Sequence, residues 1–147
     1  MIVFVTGGAR SGKSSYAQNL ALSLSSNPVY VATAKNWGGN FDDRIKRHQS
    51  DRGKEWTSIE VEKEVSKADI DKSFVDFKKE IDALDKMKGT FIIVSNEIGM
   101  GVHAETEIGR KFTDLQGWAN QYTAAKADKV IVMISGIAVT IKEIINE

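Results

Sequence analysis

Near the start of the chain, Thr6-Gly7-Gly8-Ala9-Arg10-Ser11-Gly12-Lys13-Ser14 restricts the possible folds more than any other stretch. It follows an apolar run, Ile2-Val3-Phe4-Val5, and leads into a segment with Ala17, Leu20, Ala21 and Leu24 on one helical face. Strand, glycine loop and helix in that order are the setting in which G-x-x-x-x-G-K-[ST] acts as a phosphate-binding loop. Gly7, Gly8 and Gly12 let the backbone take positive φ angles and approach phosphate oxygens closely. The N–H groups freed in this way, with the helix N-terminus behind them, point at an anion. Lys13 is placed to reach the β- and γ-phosphates, and the Ser14 hydroxyl to hold Mg²⁺. The plain alternative is a glycine turn between any strand and helix. It is disfavoured because every fixed position of the motif is filled in the right context. A chain with this opening binds a nucleoside triphosphate.

At 147 residues the chain is expected to form a single nucleotide-binding domain, residues 1–147, with room for a sizeable core. Twenty basic residues balance twenty acidic ones, so no global field favours nucleic acid or an anionic membrane. Cysteine is absent, which excludes disulfides and thiolate metal sites. The sequence opens directly into a strand with no charged leader, and no apolar run reaches membrane-spanning length. A soluble cytoplasmic protein is the expectation. Pro28 is the one proline, which argues against linkers and disordered tails.

After the first helix, Ser25-Ser26-Asn27-Pro28 reads as a turn and Val29 to Thr33 as a buried strand. Lys35 to Asn40 is a glycine-bearing loop, and Asp42 to Arg52 is a charged stretch that Asp42 can cap as a short helix. Trp56 to Val65 is ambiguous. Asp69 to Lys88 carries Ile70, Phe74, Phe77, Ile81 and Leu84 at helical spacing, and Gly89 ends it. Thr90 to Ser95 reads as a buried strand, followed by the loop Asn96 to Gly101. Glu105 to Lys126 is a second long helix with Ile108, Phe112, Leu115, Ala119 and Tyr122 on its apolar face. Lys129 to Ser135 is a further strand, and Ala138 to Ile144 is either an edge strand or a last helical turn. Met87, Met100, Met133, Phe112 and Trp118 are expected in the core or an interface.

Strands that alternate with helices and are apolar throughout imply a mostly parallel sheet with helices on both faces. The fold class is therefore α/β, of the P-loop, RecA-like kind. Ligands of such sheets bind beyond the C-terminal ends of the strands. Functional residues are expected at Ala32 to Ala34, at Asn96 to Gly101 and at Gly136. Phosphate-loop proteins also use an acidic residue near Mg²⁺, and no apolar strand between Trp56 and Ile70 supplies one. Glu97 or Asp128 takes that role, or a strand–helix segment is missing near residues 65–69.

Beyond the phosphate loop, His48 stands out. If Asp42 to Arg52 is helical, Arg44, His48 and Arg52 share one face. Two guanidiniums make an anion site, and their like charge keeps the imidazole neutral, the form that attacks phosphorus. A solvated basic face with an incidental histidine is the alternative, and the charge pattern alone does not exclude it. His103, at a helix start, reads as a bystander. Glu97 reads equally as a metal ligand, as a base or as a surface acid in a turn. Asn120 and Gln121 are either polar contacts to a neighbour or plain surface.

Taken together, these pieces resemble the bifunctional adenosylcobinamide kinase / adenosylcobinamide-phosphate guanylyltransferase family of cobalamin assembly. The resemblance lies in the phosphate loop, Tyr30-Val31-Ala32-Thr33-Ala34, Arg44-Ile45-Lys46-Arg47-His48 running into Arg52, and Trp56 with Glu60. It continues through Asn96-Glu97-Ile98-Gly99-Met100-Gly101, Gly117 with Asn120-Gln121, and Ser135-Gly136-Ile137. It implies phosphorylation of adenosylcobinamide by ATP or GTP, then transfer of GMP from GTP to the resulting phosphate. His48 would carry the guanylyl group, with Lys13 as the second catalytic residue. The nucleotide would be held by Gly7, Gly8, Ala9, Arg10, Ser11, Gly12, Lys13 and Ser14, by Ala32, Thr33 and Ala34, and by Gln49, Ser50, Asp51, Arg52 and Glu60. Ser14 would bind Mg²⁺. The resemblance also implies a homotrimer. The chain departs from the family where a central strand ending in an acid, and the helix after it, are expected between Glu60 and the first long helix. Such a βα unit is roughly twenty residues or more.

Overall fold

The apolar run after Met1 forms β1 (Ile2–Gly7), and every residue in it is buried. The computed structural model that shows this describes residues 1–33, 53–60, 70–101 and 103–144. The expected loop at 35–40 and helix at 42–52 lie outside the described residues. The chain divides into two compact units, Met1–Gln18 with Lys67–Glu147, and Asn19–Ser66.

In the first unit β1 has parallel neighbours on both sides. Phe4 lies opposite Ile93 of β4 (Phe91–Val94) and opposite Val130 of β5 (Lys129–Ile134). After β5 the chain reverses through Ser135 (φ 50°) and Gly136 (φ 83°) into β6 (Ile137–Glu143). Two consecutive positive φ angles give the tight turn whose twist suits an antiparallel pair. The last segment is thus the edge strand, not the helical turn, and the order is β4-β1-β5-β6.

Side chains alternate across the sheet. Ile2 and Phe4 join Val130 and Ala127 on one face, with Leu84, Phe91, Ile93 and Ala124 packed against them. Leu84 comes from α2 (Ile70–Lys86) and Ala124 from α3 (Glu107–Lys126), so these two helices cover that face. Val3, Val5, Ile131 and Met133 are buried on the opposite face. There the head of α1 (Lys13–Leu24) comes close, since a Cβ on Gly12 would lie 3.5 Å from Met133 Cε. The sheet is mostly parallel and has helices on both faces.

Helices α2 and α3 meet through Phe74 and Trp118, ring centroids 6.1 Å apart, and through the bond from the Tyr122 hydroxyl to Asp82 Oδ1 at 2.8 Å. Thr106 caps α3 by accepting from Gly109 N at 3.1 Å, so the helix starts two residues later than the periodicity predicts. Gly89, at φ 129°, follows the end of α2.

The second unit holds β2 (Val29–Ala32) and β3 (Thr57–Glu60), a parallel pair with Tyr30 edge-on to Trp56 at 6.2 Å. Here the sequence misleads. Val29, Val31 and Ile59 are about half exposed, whereas an apolar strand reads as buried. Of the residues expected in the core or an interface, Met133 is in the core, while Met87, Met100, Phe112 and Trp118 are exposed in the single chain. Val94 is exposed as well, because β4 is an edge among the described strands.

Candidate active site

At the C-terminal end of β1 the backbone takes conformations that only its sequence allows. Gly7 has φ 147°, and a Cβ there would run into the Met133 carbonyl and stand 2.9 Å from Ser11 Oγ. Glycine is the residue that fits. Arg10 (φ 57°) and Gly12 (φ 94°) complete the curl, and Ser11 N donates to Gly8 O at 3.3 Å. The first bond of α1 runs from Tyr16 N to Gly12 O at 3.0 Å, so the amides ahead of it point out of the helix end.

Lys13 is only 7% exposed. Its Nζ donates to Gly8 O at 2.6 Å and lies 3.5 Å from Ser11 Oγ, itself buried. A buried ammonium must be compensated by acceptors or an anion. Set at a helix N-terminus inside a glycine loop, it is the donor array that suits a polyphosphate. Ser14, half-buried on the first turn, supplies a hydroxyl oxygen of the hard type that Mg²⁺ prefers. The chemistry of these donors therefore fits a magnesium nucleotide.

Two further segments brace the loop. Gly136 N, in the turn after β5, donates to Ser11 O at 3.0 Å. The chain leaving β4 keeps following β1: Ser95 N donates to Val5 O at 3.0 Å and Glu97 N to Gly7 O at 2.9 Å. A polar network from α3 holds this segment. The Ser95 hydroxyl donates to Asn120 Oδ1 (2.8 Å), and Gln116 Nε2 donates to Ser95 Oγ (2.5 Å) and Asn120 Oδ1 (3.2 Å). Asn120 Nδ2 donates to Asn96 O at 3.0 Å and stands 3.5 Å from Glu97 Oε2, while Gly99 N donates to Oε1 at 3.0 Å. One more polar atom at this end, the buried Thr6 Oγ1, has no partner among the described residues.

The structure thus brings together Gly7, Gly8, Ala9, Arg10, Ser11, Gly12, Lys13 and Ser14, with the Asn96–Gly101 loop and Gly136 beside them. Ala32 ends β2 and Thr33 follows it, in the other unit; the register sets Ala32 beside Glu60, the last residue of β3. Ala34, His48, Gln49, Ser50, Asp51 and Arg52 lie outside the described residues. Asp128 is at the wrong end of the sheet, where its Oδ2 accepts from Ile2 N at 2.6 Å. Asn120 is buried and no surface residue. Gln116 escaped the sequence reading, though its spacing of four from Asn120 on a helix facing the sheet was the available signal.

The family model for cobinamide kinase / cobinamide phosphate guanyltransferase matches residues 3–74 and 67–141. The chain is 30% identical over 182 residues to the bifunctional adenosylcobalamin biosynthesis protein CobU of Escherichia coli, covering 97% of this chain and all of that protein. It is 28% identical over 165 residues to CobP of Pseudomonas aeruginosa, described by the same words (94% and 95% covered). A third relative, CobU of Salmonella typhimurium, is 28% identical over 182 residues, covering 97% of this chain and all of that protein. With its phosphate loop formed at the end of β1 and the family model matching from residue 3 to residue 141, this chain belongs to the cobinamide kinase / cobinamide phosphate guanyltransferase family.

Proposed function

We propose that the protein phosphorylates the aminopropanol hydroxyl of adenosylcobinamide with ATP or GTP. It then transfers GMP from GTP to that phosphate through a guanylylated His48, giving adenosylcobinamide-GDP. The observation that carries this reading is the preformed cradle around Lys13, whose buried Nζ lies 2.6 Å from the Gly8 carbonyl. In the first reaction the substrate hydroxyl oxygen bonds to the γ-phosphorus as the bond to the β-phosphate breaks. Lys13 and the loop amides steady the charge that develops on the phosphates. Ser14 would hold Mg²⁺, which would supply further neutralisation. In the second reaction a neutral His48 nitrogen bonds to the α-phosphorus of GTP and pyrophosphate departs. An oxygen of the cobinamide phosphate then takes the guanylyl group and frees the imidazole.

Ala32, Thr33, Ala34, Gln49, Ser50, Asp51, Arg52 and Glu60 complete the nucleotide contacts in this proposal. A homotrimer and a cytoplasmic location belong to it too. Among the described residues, no helix is long and apolar enough to cross a membrane. The strand–helix segment absent near residues 65–69 is a further part. Its support is that the Escherichia coli alignment runs over 182 residues, more than the 147 of this chain, while the family model matches in two stretches that overlap at 67–74. Intact mass of the natively expressed protein tests this: 16.2 kDa upholds the deletion, and a heavier chain refutes it.

The deciding experiment is incubation with α-labelled GTP. Acid-labile, alkali-stable label on the protein, lost in His48→Ala, is the expected result. An active kinase that takes up no label leaves a phosphate-loop kinase without nucleotidyl transfer.

A further inference from the structure

Magnesium nucleotides are held by few protein groups, usually a hydroxyl and one or two carboxylates besides the phosphates. Ser14 supplies the hydroxyl, and the sequence offers Glu97 and Asp128 as acids. The structure separates these two. Asp128 is bonded to Ile2 N, at the start of β1, whereas the phosphate loop begins at Gly7. At about 3.3 Å per residue those points are roughly 17 Å apart, far beyond any metal bond to Ser14 or the phosphates. Glu97 sits at the correct end, with its amide bonded to the carbonyl of Gly7, the first glycine of the loop.

The setting of Glu97 is built and held. Its Oε1 accepts from Gly99 N at 3.0 Å, and its Oε2 lies 3.5 Å from Asn120 Nδ2. Asn120 is 7% exposed and is fixed in turn by Ser95, Gln116 and the Asn96 carbonyl. Helix α3 therefore fixes the loop that carries the carboxylate. An ionised carboxylate accepts about four hydrogen bonds; these two donors leave the remainder for water molecules on a metal ion. The other described segment bracing the phosphate loop, Ser135–Gly136, carries no acid.

We propose that Glu97 completes the Mg²⁺ side of the nucleotide site, where its carboxylate would accept hydrogen bonds from metal-bound water. This rests on the reading of Gly7–Ser14 as a nucleotide cradle and deepens it: in this chain the acid comes from the loop after β4. Asn120 and Gln116 are the positioning residues behind it.

The test uses Mn²⁺ as a paramagnetic probe, with GTP and the purified full chain. In Glu97→Gln the side chain keeps its size and an oxygen to accept from Gly99 N. Affinity for Mn²⁺ in the ternary complex is expected to fall about ten-fold or more. GTP affinity measured in EDTA, and the urea unfolding midpoint, are expected to match the parent protein. A Mn²⁺ affinity unchanged in Glu97→Gln overturns the proposal, and leaves the cradle standing if Lys13→Ala still abolishes GTP binding. A loss of GTP affinity in EDTA equal to the loss with metal also overturns it, by showing that Glu97 acts on the loop and not on the cation. Failure of the parent chain to bind GTP under either condition refutes the cradle itself, and the assignment of Glu97 falls with it.

Discussion

Asp128→Ala separates the two acids that the sequence leaves open. The side chain accepts from Ile2 N at 2.6 Å, while its own backbone N donates to Ile2 O at 2.9 Å and its carbonyl accepts from Ile144 N at 2.8 Å. Alanine leaves the two backbone bonds in place and removes only the charged acceptor. Ile2 is 1% exposed, so its amide is left without a partner out of water's reach. A hydrogen bond to a charged group, with its partner stranded, costs about 1.5–3 kcal/mol. For a chain of this size that corresponds to roughly 3–12 °C in Tm. Urea unfolding and a thermal scan measure it, and Asp128→Asn, which keeps an acceptor oxygen, should recover part of the loss. Nucleotide affinity with and without Mg²⁺ should not move in either variant. Unchanged stability in Asp128→Ala would refute the structural role. A selective loss of Mg²⁺-dependent binding would refute its placement away from the phosphates.

Gly7→Ala should cost roughly 2–5 kcal/mol by urea unfolding, from backbone strain and from collision with the Met133 carbonyl. Gly8→Ala, with nothing within 4 Å of the added carbon, should stay within about 0.5 kcal/mol of the parent. Asn120→Ala should lose about 1–3 kcal/mol and speed amide exchange through residues 95–99, which its side chain ties to α3. The Lys126 ammonium, and after it the Tyr122 hydroxyl, hold the Asp82 carboxyl below its ordinary value of 3.8. The stabilisation this implies is present above that value and is lost as pH falls through the depressed one. The gap in urea midpoint between the parent and Asp82→Asn should therefore be open at pH 7 and close on acidification. Finally, Phe91 N bonds to Met1 O and Ser95 N to Val5 O, so alternation turns the Ile92 and Val94 amides away from β1. Those two should exchange hydrogen much faster than Phe91, Ile93 and Ser95.

What was legible in the sequence is what depends on neighbours in the chain. Strand β1, the phosphate loop and the start of α1 form one continuous stretch, and each position there has a local reason. Glu97 was placed correctly because residues following a strand fall at the ligand end of a parallel sheet. The same rule, applied to Asp128, would have put it at the other end, since it precedes β5 rather than following a strand. Asn120 was readable only as one of two alternatives: a polar residue on a long helix becomes buried only when Ser95 and Asn96 arrive beside it from a segment more than twenty residues earlier. Ile108 and Phe112 failed in the opposite direction. They occupy an apolar helical face at the correct spacing, yet remain mostly exposed in the first half of α3.

Strand β4 joins these partial failures to the family comparison. Phe91-Ile92-Ile93-Val94 has the composition of a strand covered on both faces with neighbours on both sides. Exposed sheet edges are ordinarily protected by charge, proline or a bulge, because bare amides invite another strand. Among the described residues this edge has none of those protections, and Val94 is 42% exposed. Helix α2, which leads into β4, begins inside the interval 67–74 where the two family-model matches overlap. A strand–helix unit inserted just ahead of α2, of the kind proposed to be absent from this chain, would supply a parallel partner for the outward amides of Ile92 and Val94. It would also bring an acid to the ligand end of the sheet. Without that unit, the sheet's ligand end retains one positioned carboxylate among the described residues, on the loop that β4 itself begins.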